Sequence, residues 1–136
     1  MYLLDTNVVS ELRRRRTDPN MVAWAGSVPV ASLFLSVITI EEIEIGVIRA
    51  EHRDPRQGAI LRSWLTNQIL TAFADRILAV DAAVARRSAT LHVPDPRPIR
   101  DSLIAATALV HRLTVVTRNT ADFDPTGVRT LNPWLK

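Results

Sequence analysis

The sequence predicts an α/β domain built on a parallel β-sheet with helices on both faces. Its strand-like segments are short apolar runs without polar alternation, the pattern of strands that are buried on both sides. Segments with helical spacing of apolar residues separate these runs, as the connections between parallel strands require. The chain has 136 residues, 47% of them hydrophobic. We therefore expect one domain, residues 1–136, with a sheet of four to five strands.

The predicted elements follow one another without repeats or low-complexity segments. Runs of apolar and branched residues predict strands, and apolar residues three or four positions apart predict helices. In chain order, we expect a strand over residues 2–4, helices over 8–12 and 19 to about 26, a strand over 33–38, helices over 39–53 and 55 to about 69, a strand over 77–80, helices from 82 to about 91 and over 99–113, and a strand over 114–116.

Capping residues and prolines support these boundaries. Asp18 and Asp54 each precede a proline, the residue favoured at the first position of a helix, and Asp81 begins another helical segment. Helices 39–53 and 55–69 are expected to form a hairpin. Between residues 93 and 98, three alternating prolines remove backbone donors and require extended geometry, so this segment is predicted to be a loop.

Composition excludes several classes of site and leaves a basic surface to explain. The chain has no cysteine, which excludes disulfides, thiolate nucleophiles and Cys-type zinc sites. Sixteen of the seventeen basic residues are arginine, and the net charge is +3. The run at residues 13–16 could follow a nucleic-acid backbone, with Arg13 and Arg14 as candidate RNA contacts, or it could reflect an arginine-rich composition without a function.

Targeting signals are absent from the sequence. No apolar run approaches the ~18 residues that a membrane span needs. Asp5 interrupts the N-terminal apolar run before the core of a signal peptide could form. We therefore expect a cytoplasmic protein that does not bind membranes.

Oxygen-bearing side chains from separate segments are predicted to meet at one edge of the sheet. Ligands of open α/β sheets bind beyond the carboxyl ends of the strands. Asp5 follows the first strand, Glu42 is expected in the first turn of the helix after the second, and Asp101 begins the helix that leads to the last strand. Beyond that last strand lie Thr117, Asn119 and Asp122.

Converging carboxylates need neutralisation. Two unit charges ~4 Å apart at an effective dielectric of about 20 repel by about 4 kcal/mol, so a cation or protons must offset them. An oxygen-only ligand set favours Mg²⁺, with Mn²⁺ as the alternative, over zinc. Such ions activate water and stabilise charge on a phosphate, which indicates phosphodiester hydrolysis.

Each acid also has a purely structural interpretation. Thr39 and Glu42 have the spacing of a capping box, in which Glu42 would only bind the Thr39 backbone. The helix dipole favours an acid such as Asp101 in a first turn. Asp122 could cap a turn, and Asp5 could form an Asx-type turn, although an aspartate that ends a buried strand is costly unless it is paired or metal-bound.

Several motifs, in order, resemble those of the PIN-domain family, and specifically of the VapC-type toxins. They are LLDTN at residues 3–7, ITIEE at 38–42 followed by Gly46, DSLIAATA at 101–108, TRN at 117–119 followed by Asp122 and Phe123, and NPW at 132–134. The resemblance spans almost the whole chain. It implies a PIN-like three-layer α/β/α fold.

The resemblance also implies roles for the acids. Asp5, Glu42 and Asp101 would be the central catalytic acids, with Asp5 and Asp101 as magnesium ligands. Asn119 stands where some relatives have a fourth aspartate, which weakens the case for a second tightly held metal, and Asp122 could supply the missing charge. Thr6 and Thr117 would be supporting hydroxyl groups that orient the acids.

By the same resemblance, the chain would be the toxin of a type II toxin–antitoxin pair. It would cleave RNA and be held inactive by a cognate, VapB-type antitoxin lying across the acidic site. A homodimer is expected within a toxin–antitoxin hetero-oligomer, with the helices around Trp24 and Trp64 as candidate interfaces. Two alternatives remain: a catalytically silent PIN-like interaction module and a DNA-directed nuclease. A haloacid-dehalogenase-type site is excluded, because that chemistry needs an aspartate where this chain has Asn7.

Overall fold

A parallel sheet lies at the centre of the protein in the computed structural model, which describes residues 1–14 and 16–135. The described strands are β1 (Tyr2–Leu4), β2 (Leu33–Ser36), β3 (Ile77–Leu78), β4 (Thr114–Val116) and β5 (Thr130–Leu131). Their order in the sheet is β3-β2-β1-β4-β5, and every pair is parallel. In register, Tyr2 of β1 is opposite Leu33 of β2 and Thr114 of β4.

Helices connect successive strands. They are α1 (Thr6–Arg13), α2 (Pro19–Ser27), α3 (Val37–Arg53), α4 (Pro55–Ser63), a π-helical segment (Trp64–Ile69), α5 (Leu70–Ala72), α6 (Ala82–Leu91), α7 (Ile99–His111) and α8 (Thr120–Phe123), with 3₁₀ turns at Val30–Ser32 and Asp124–Thr126. None of the described helices is both long and apolar enough to span a membrane.

Two hydrophobic cores lie on opposite faces of the sheet. Successive strand residues point to opposite faces, so Leu4 packs with α1, α2 and α3 while Leu3 packs with α7 and α8. In β4 the same alternation sends Val116 to the first core and Val115 to the second. The predicted three-layer arrangement with a sheet of four to five strands is therefore confirmed.

The junction between β2 and α3 differs from the prediction. The strand ends at Ser36, two residues earlier than expected, and α3 begins at Val37 instead of Thr39. The Ser36 hydroxyl caps α3 by accepting a 3.0 Å hydrogen bond from the backbone N–H of Ile38. Branched residues continue from the strand into the helix, and their β propensity hid this boundary.

Strand β5 was not predicted, because two residues at the edge of a sheet are too few to show a periodic pattern. Its pairing with β4 places Thr130 opposite Val115 and Leu131 opposite Val116. The backbone N–H of Thr117 donates to the Leu131 carbonyl at 2.9 Å. This bond extends the pairing of β4 and β5 to Thr117, a residue of the candidate site.

Helices α3 and α4 form the expected hairpin. Arg62 of α4 donates two hydrogen bonds, of 3.0 and 3.3 Å, to the carboxylate of Glu51 of α3. Gly58 permits the close approach, since a Cβ there would lie 2.7 Å from the Glu51 backbone nitrogen and nearer still to its Cα. After α4 the chain continues through the π-helical segment, where Leu65 is fully buried.

The arrangement of strands determines where a site can form. From β1 the chain passes to β2 on one side of it, whereas β4 and β5 lie on the other side. A crevice therefore forms beyond the carboxyl ends of β1 and β4, where the connections leave in opposite directions. Asp5 and Thr117 are the residues that follow these two strands.

Candidate active site

Asp5 is the most buried acid of the site, with 9% of its surface exposed. It caps α1, because its Oδ1 accepts a 2.8 Å hydrogen bond from the backbone N–H of Thr6. Its Oδ2 accepts hydrogen bonds from the Thr117 hydroxyl at 2.9 Å and the Asn7 amide at 3.3 Å. Asp5 is thus the N-cap of α1, and Thr117 and Asn7 additionally fix the direction of the carboxylate.

Thr117 and Asn7 link the segments that follow β4 and β1, next to the Asp5 carboxylate. Thr117 is fully buried, and its hydroxyl accepts hydrogen bonds from the backbone N–H of Asn119 at 3.0 Å and the Asn7 amide at 3.4 Å. The side-chain oxygen of Asn7, Oδ1, accepts a 3.2 Å hydrogen bond from the backbone N–H of Arg118. The sequence analysis used Asn7 as part of the LLDTN motif and to exclude another family, but assigned it no role in the site. Its position in the first turn after a capping aspartate was the signal for its positioning role.

Glu42 belongs to the site through Thr6. It lies in the second turn of α3, not the first as predicted, since that helix begins at Val37. Its Oε1 accepts a 3.1 Å hydrogen bond from the Thr6 hydroxyl. The capping-box interpretation is therefore wrong, because Ser36 caps the helix and Glu42 reaches across to α1.

Asp101 and Asp122 complete the cluster from the other side. Asp101 is half-buried in the first turn of α7, and Asp122 is exposed in the first turn of α8. Asn119 is at the N-cap of α8 and contributes its backbone N–H, bound to Thr117, to this arrangement. We refer to Asp5, Glu42, Asp101 and Asp122 together as the acidic cluster.

Burial raises the pKa of Asp5 above its ordinary value, and the negative charge of Asp122 raises it further. The hydrogen bonds from Thr117, Thr6 and Asn7 oppose this shift, because they stabilise the ionised form. Asp5 is therefore held in one orientation by donors, yet its charge is disfavoured by its surroundings.

The pKa values of Glu42 and Asp101 are raised as well, and burial is again the largest cause. Negative charge on Asp5 and Asp101 contributes at Glu42, and negative charge on Asp122 and Asp5 contributes at Asp101. One cation, Arg100, partly offsets the effect at Glu42, where its guanidinium lies 4.0 Å from Oε2. Sequence reasoning missed Arg100, which directly precedes Asp101.

The donor chemistry of the cluster fits a hard divalent cation. Its members offer carboxylate oxygens, and burial, together with the negative charge of neighbouring acids, raises the pKa of three of them. Within residues 1–14 and 16–135, no arginine, lysine or histidine forms an ion pair with Asp5, Asp101 or Asp122. In those same ranges, no three Asp, Glu or His side chains already form a group that could hold a metal ion. The acids of the cluster are thus close enough to raise one another's pKa, and Glu42 has the Arg100 cation beside it, but the carboxylates are not arranged as a set of metal ligands.

A model of the PIN domain matches residues 2–127, which include every member of the acidic cluster. The chain belongs to the PIN-domain family. Toxin FitB of Neisseria gonorrhoeae is 39% identical over 140 residues, covering 98% of this chain and 99% of that protein. VapC ribonuclease Y4jK of Sinorhizobium fredii is 34% identical over 139 residues and covers 98% of each.

Solved structures of similar proteins agree with this PIN-domain fold. The crystal structure of FitAcB from Neisseria gonorrhoeae superposes with a TM-score of 0.91 at 38% identity and covers 100% of both chains. A toxin–antitoxin complex from Klebsiella pneumoniae superposes with a TM-score of 0.69 at 28% identity and covers 98% of both chains. The match extends over the full length of this PIN domain.

The arginines of the run at residues 13–16 have different environments in this PIN domain. Arg13 is exposed, and its guanidinium lies 5.7 Å from the centre of the Trp64 ring. Arg14 donates a 3.2 Å hydrogen bond to the buried carboxylate of Glu11, so it has a structural contact within the chain. Arg16 is exposed, and Arg15 lies outside the described residues.

The tryptophans proposed as interface residues are half-buried. Trp24 packs edge-to-face against Tyr2, with ring centres 5.3 Å apart, and both Trp24 and Trp64 pack against the first core. Exposed apolar side chains lie near them in sequence, with Val22 54% and Ile60 55% exposed. Val22 and Ile60 are therefore candidates for the predicted dimer contact.

Proposed function

We propose that this PIN domain is a magnesium-dependent endoribonuclease and the toxin of a type II toxin–antitoxin pair. The observation that supports the proposal most is the environment of Asp5, a buried carboxylate bound by three donors and surrounded by further acids. A fold gains nothing from this repulsion by itself, so we infer that a ligand of opposite charge offsets it.

Asp5 and Asp101 are the residues that would hold the metal. When bound, Mg²⁺ or Mn²⁺ would supply an activated water and stabilise charge that develops on the phosphate. Thr117 and Asn7 hold the Asp5 carboxylate in place, so that its rotamer needs no ordering when the ligand arrives. Asp101 and Asp122 have more freedom to close around it, because both are partly exposed.

Glu42 and Asp122 are proposed as the other catalytic acids. Burial and neighbouring acids raise the pKa of Glu42, so this carboxylate accepts a proton more readily than an exposed glutamate. Thr6 orients it by donating to Oε1, while Oε2 lies 4.0 Å from the Arg100 guanidinium. Asn119 has no charge, so Asp122 would supply the negative charge at that end of the cluster.

The names of the relatives support the class of substrate and partner. One relative is named a VapC ribonuclease, another is named a toxin, and a similar structure is titled a toxin–antitoxin complex. We extend these properties to this chain as RNA cleavage, inhibition by a VapB-type antitoxin and assembly into a hetero-oligomer containing a homodimer. A catalytically silent module remains a weaker alternative, because the acids are all present and adjacent.

The decisive experiment uses purified protein freed of any co-purifying partner. Labelled single-stranded RNAs and DNAs of matched sequence are incubated with Mg²⁺ or with EDTA, beside Asp5→Asn. We expect RNA cleavage that requires Mg²⁺ and is lost in the variant. Cleavage of the DNA alone would establish a DNA-directed nuclease instead, and full activity of Asp5→Asn would refute the proposed site.

A further inference from the structure

A small pocket opens beside the acidic cluster and shares two residues with it. Its volume is about 230 Å³, and Thr6 and Glu42 form part of its wall. Ser10 and Arg13 of α1 line one side, with Gly46 of α3 and Trp64 beyond them. Any group that fills this pocket lies next to the proposed reaction centre. We call it the α1–α3 pocket.

The Arg13 guanidinium lies over an aromatic ring at this pocket. The Arg13 guanidinium lies 5.7 Å from the centre of the Trp64 ring, and both residues line the pocket. Trp64 is held in place because it packs against the first core. A guanidinium plane supported in this way can stack a nucleobase on its other side.

Gly46 leaves the opposite wall open. It is exposed on α3, and a Cβ built there meets no other group within 4 Å. A glycine inside a helix lowers stability by about 0.5–1 kcal/mol relative to alanine. Nothing in the packing at Gly46 requires that loss, since its position is not one of close approach. The missing side chain keeps the pocket accessible.

We propose that the α1–α3 pocket binds one base of the RNA substrate beside the scissile phosphate. The base would stack on the Arg13 guanidinium, while the Ser10 hydroxyl and the Glu42 carboxylate lie at the pocket wall for its polar edge. This inference rests on the proposed ribonuclease function and extends it to base selection.

The dimensions of the pocket favour a base over a peptide helix. A volume of about 230 Å³ is below the range of about 300–1,000 Å³ for drug-sized ligands and suits a single planar group. A helix has a diameter of about 10–12 Å, so it could lie across the pocket but could not insert into it. Because the pocket shares Glu42 with the acidic cluster, the base would belong to the nucleotide that adjoins the reacting phosphate.

The test fills the pocket without disturbing the acids. Gly46→Leu adds a side chain where nothing obstructs a Cβ, and Gly26→Leu is the matched control, because Gly26 is also an exposed helical glycine without contacts at its Cβ. Binding of labelled hexamers of A, C, G or U is measured by fluorescence anisotropy in EDTA, so that the RNA stays intact. Cleavage positions on a randomised RNA are then mapped with Mg²⁺.

We expect wild type to prefer some bases over others, both in binding and at the nucleotide next to the cut. Stacking of a base contributes about 1–3 kcal/mol, so Gly46→Leu should weaken binding of the preferred hexamer by roughly 5-fold to 150-fold and equalise the four bases. Gly26→Leu should behave as wild type. Thermal melting of both variants checks that the fold is retained.

Arg13→Lys separates stacking from a phosphate contact. Lysine keeps the charge but has no flat face, so the base preference should fall while the salt dependence of binding stays unchanged. Unchanged base preference in both Gly46→Leu and Arg13→Lys, with RNA cleavage intact, would overturn the inference and leave the ribonuclease proposal standing. A wild-type protein that neither binds nor cuts RNA would overturn both.

Discussion

Thr117 donates a 2.9 Å hydrogen bond to Asp5, a residue 112 positions away in the chain. The two residues follow β4 and β1, which pair directly in the sheet. The bond therefore forms only when the first and fourth strands are in register. Orientation of the most buried acid of the cluster thus depends on the completed fold.

Replacement of Thr117 by valine should weaken both the fold and the site. The variant keeps the shape of the side chain but removes the donor to Asp5 and the acceptor for the Asn119 N–H. We expect the free energy of unfolding to fall by about 1–3 kcal/mol, measured by urea denaturation, with slower Mg²⁺-dependent RNA cleavage. Thr107→Val is the control, because Thr107 is equally buried but bonds only to the Leu103 carbonyl. Equal effects of the two variants on cleavage would contradict the prediction.

Asp101→Asn should abolish cleavage while raising the stability of the metal-free protein. Removal of its charge relieves the repulsion from Asp122 and Asp5, which contributes to the raised pKa of Asp101. Cleavage should fall by about 100-fold or more. The melting temperature in EDTA should rise, and it should rise more than for Asp5→Asn. In that variant only one of the two side-chain positions still accepts, so the bonds from Thr6 at one position and from Thr117 and Asn7 at the other cannot all be kept, and part of the gain is lost.

The metal-free protein should gain stability from these acids as the pH falls from neutrality. Burial raises the pKa values of Asp5, Glu42 and Asp101 above the usual 3.8 for Asp and 4.5 for Glu. Between those usual values and the raised ones, the folded state binds more protons than the unfolded state, so folding is favoured by acid in this window. Below the usual values the contribution is constant.

The measurement is the difference in melting temperature between wild type and Asp101→Asn, in EDTA, from about pH 8 down to about pH 3, so that the range includes the ordinary pKa of an aspartate. Subtraction removes the contributions of unrelated acids such as Glu51, whose pKa is lowered by its hydrogen bonds from Arg62. The advantage of the variant should shrink as Asp101 of the wild type becomes protonated. A difference that is constant over this range would show that Asp101 has no raised pKa.

Gly58→Ala should destabilise the α3–α4 hairpin. A Cβ at Gly58 would meet the backbone of Glu51, which cannot move without displacing α3. The cost of such overpacking is about 1–3 kcal/mol. Gly26→Ala is the opposite case, because its Cβ meets nothing, and it should stabilise its helix by about 0.5–1 kcal/mol. Urea denaturation measures the change in the free energy of unfolding, which should be a decrease for Gly58→Ala and an increase for Gly26→Ala. Destabilisation by Gly26→Ala would contradict this account.

Much of the architecture could be predicted from local patterns. The helices that begin after Asp18, Asp54 and Asp81 start where the capping residues indicated, because an aspartate side chain bonds the first free N–H groups of its own helix. The junction at Ser36 could not be located so easily, since a hydroxyl cap within a run of branched residues resembles a continuing strand.

The meeting of the acids could be predicted only in part. Asp5 and Asp101 were recognised because each stands at the end of an element that points to the same edge of the sheet. The contact between Glu42 and Thr6 could not be predicted, because the two residues lie on different helices. Only the packing of α1 against α3 brings the Thr6 hydroxyl within 3.1 Å of Glu42 Oε1. The roles of Asn7 and Arg100 depend in the same way on contacts across the site.

The sequence by itself therefore determined the class of fold, the order of most elements and the residues that supply negative charge, because these follow from short-range periodicity, capping and residue chemistry. Only the tertiary structure decided how each carboxylate is oriented, which hydroxyl and amide groups bind it, and that Gly46, Arg13 and Trp64 border a pocket beside Glu42. The physical reason is that hydrogen bonds and burial at the site join segments distant in the chain, and their geometry is set by the pairing of strands and the packing of helices.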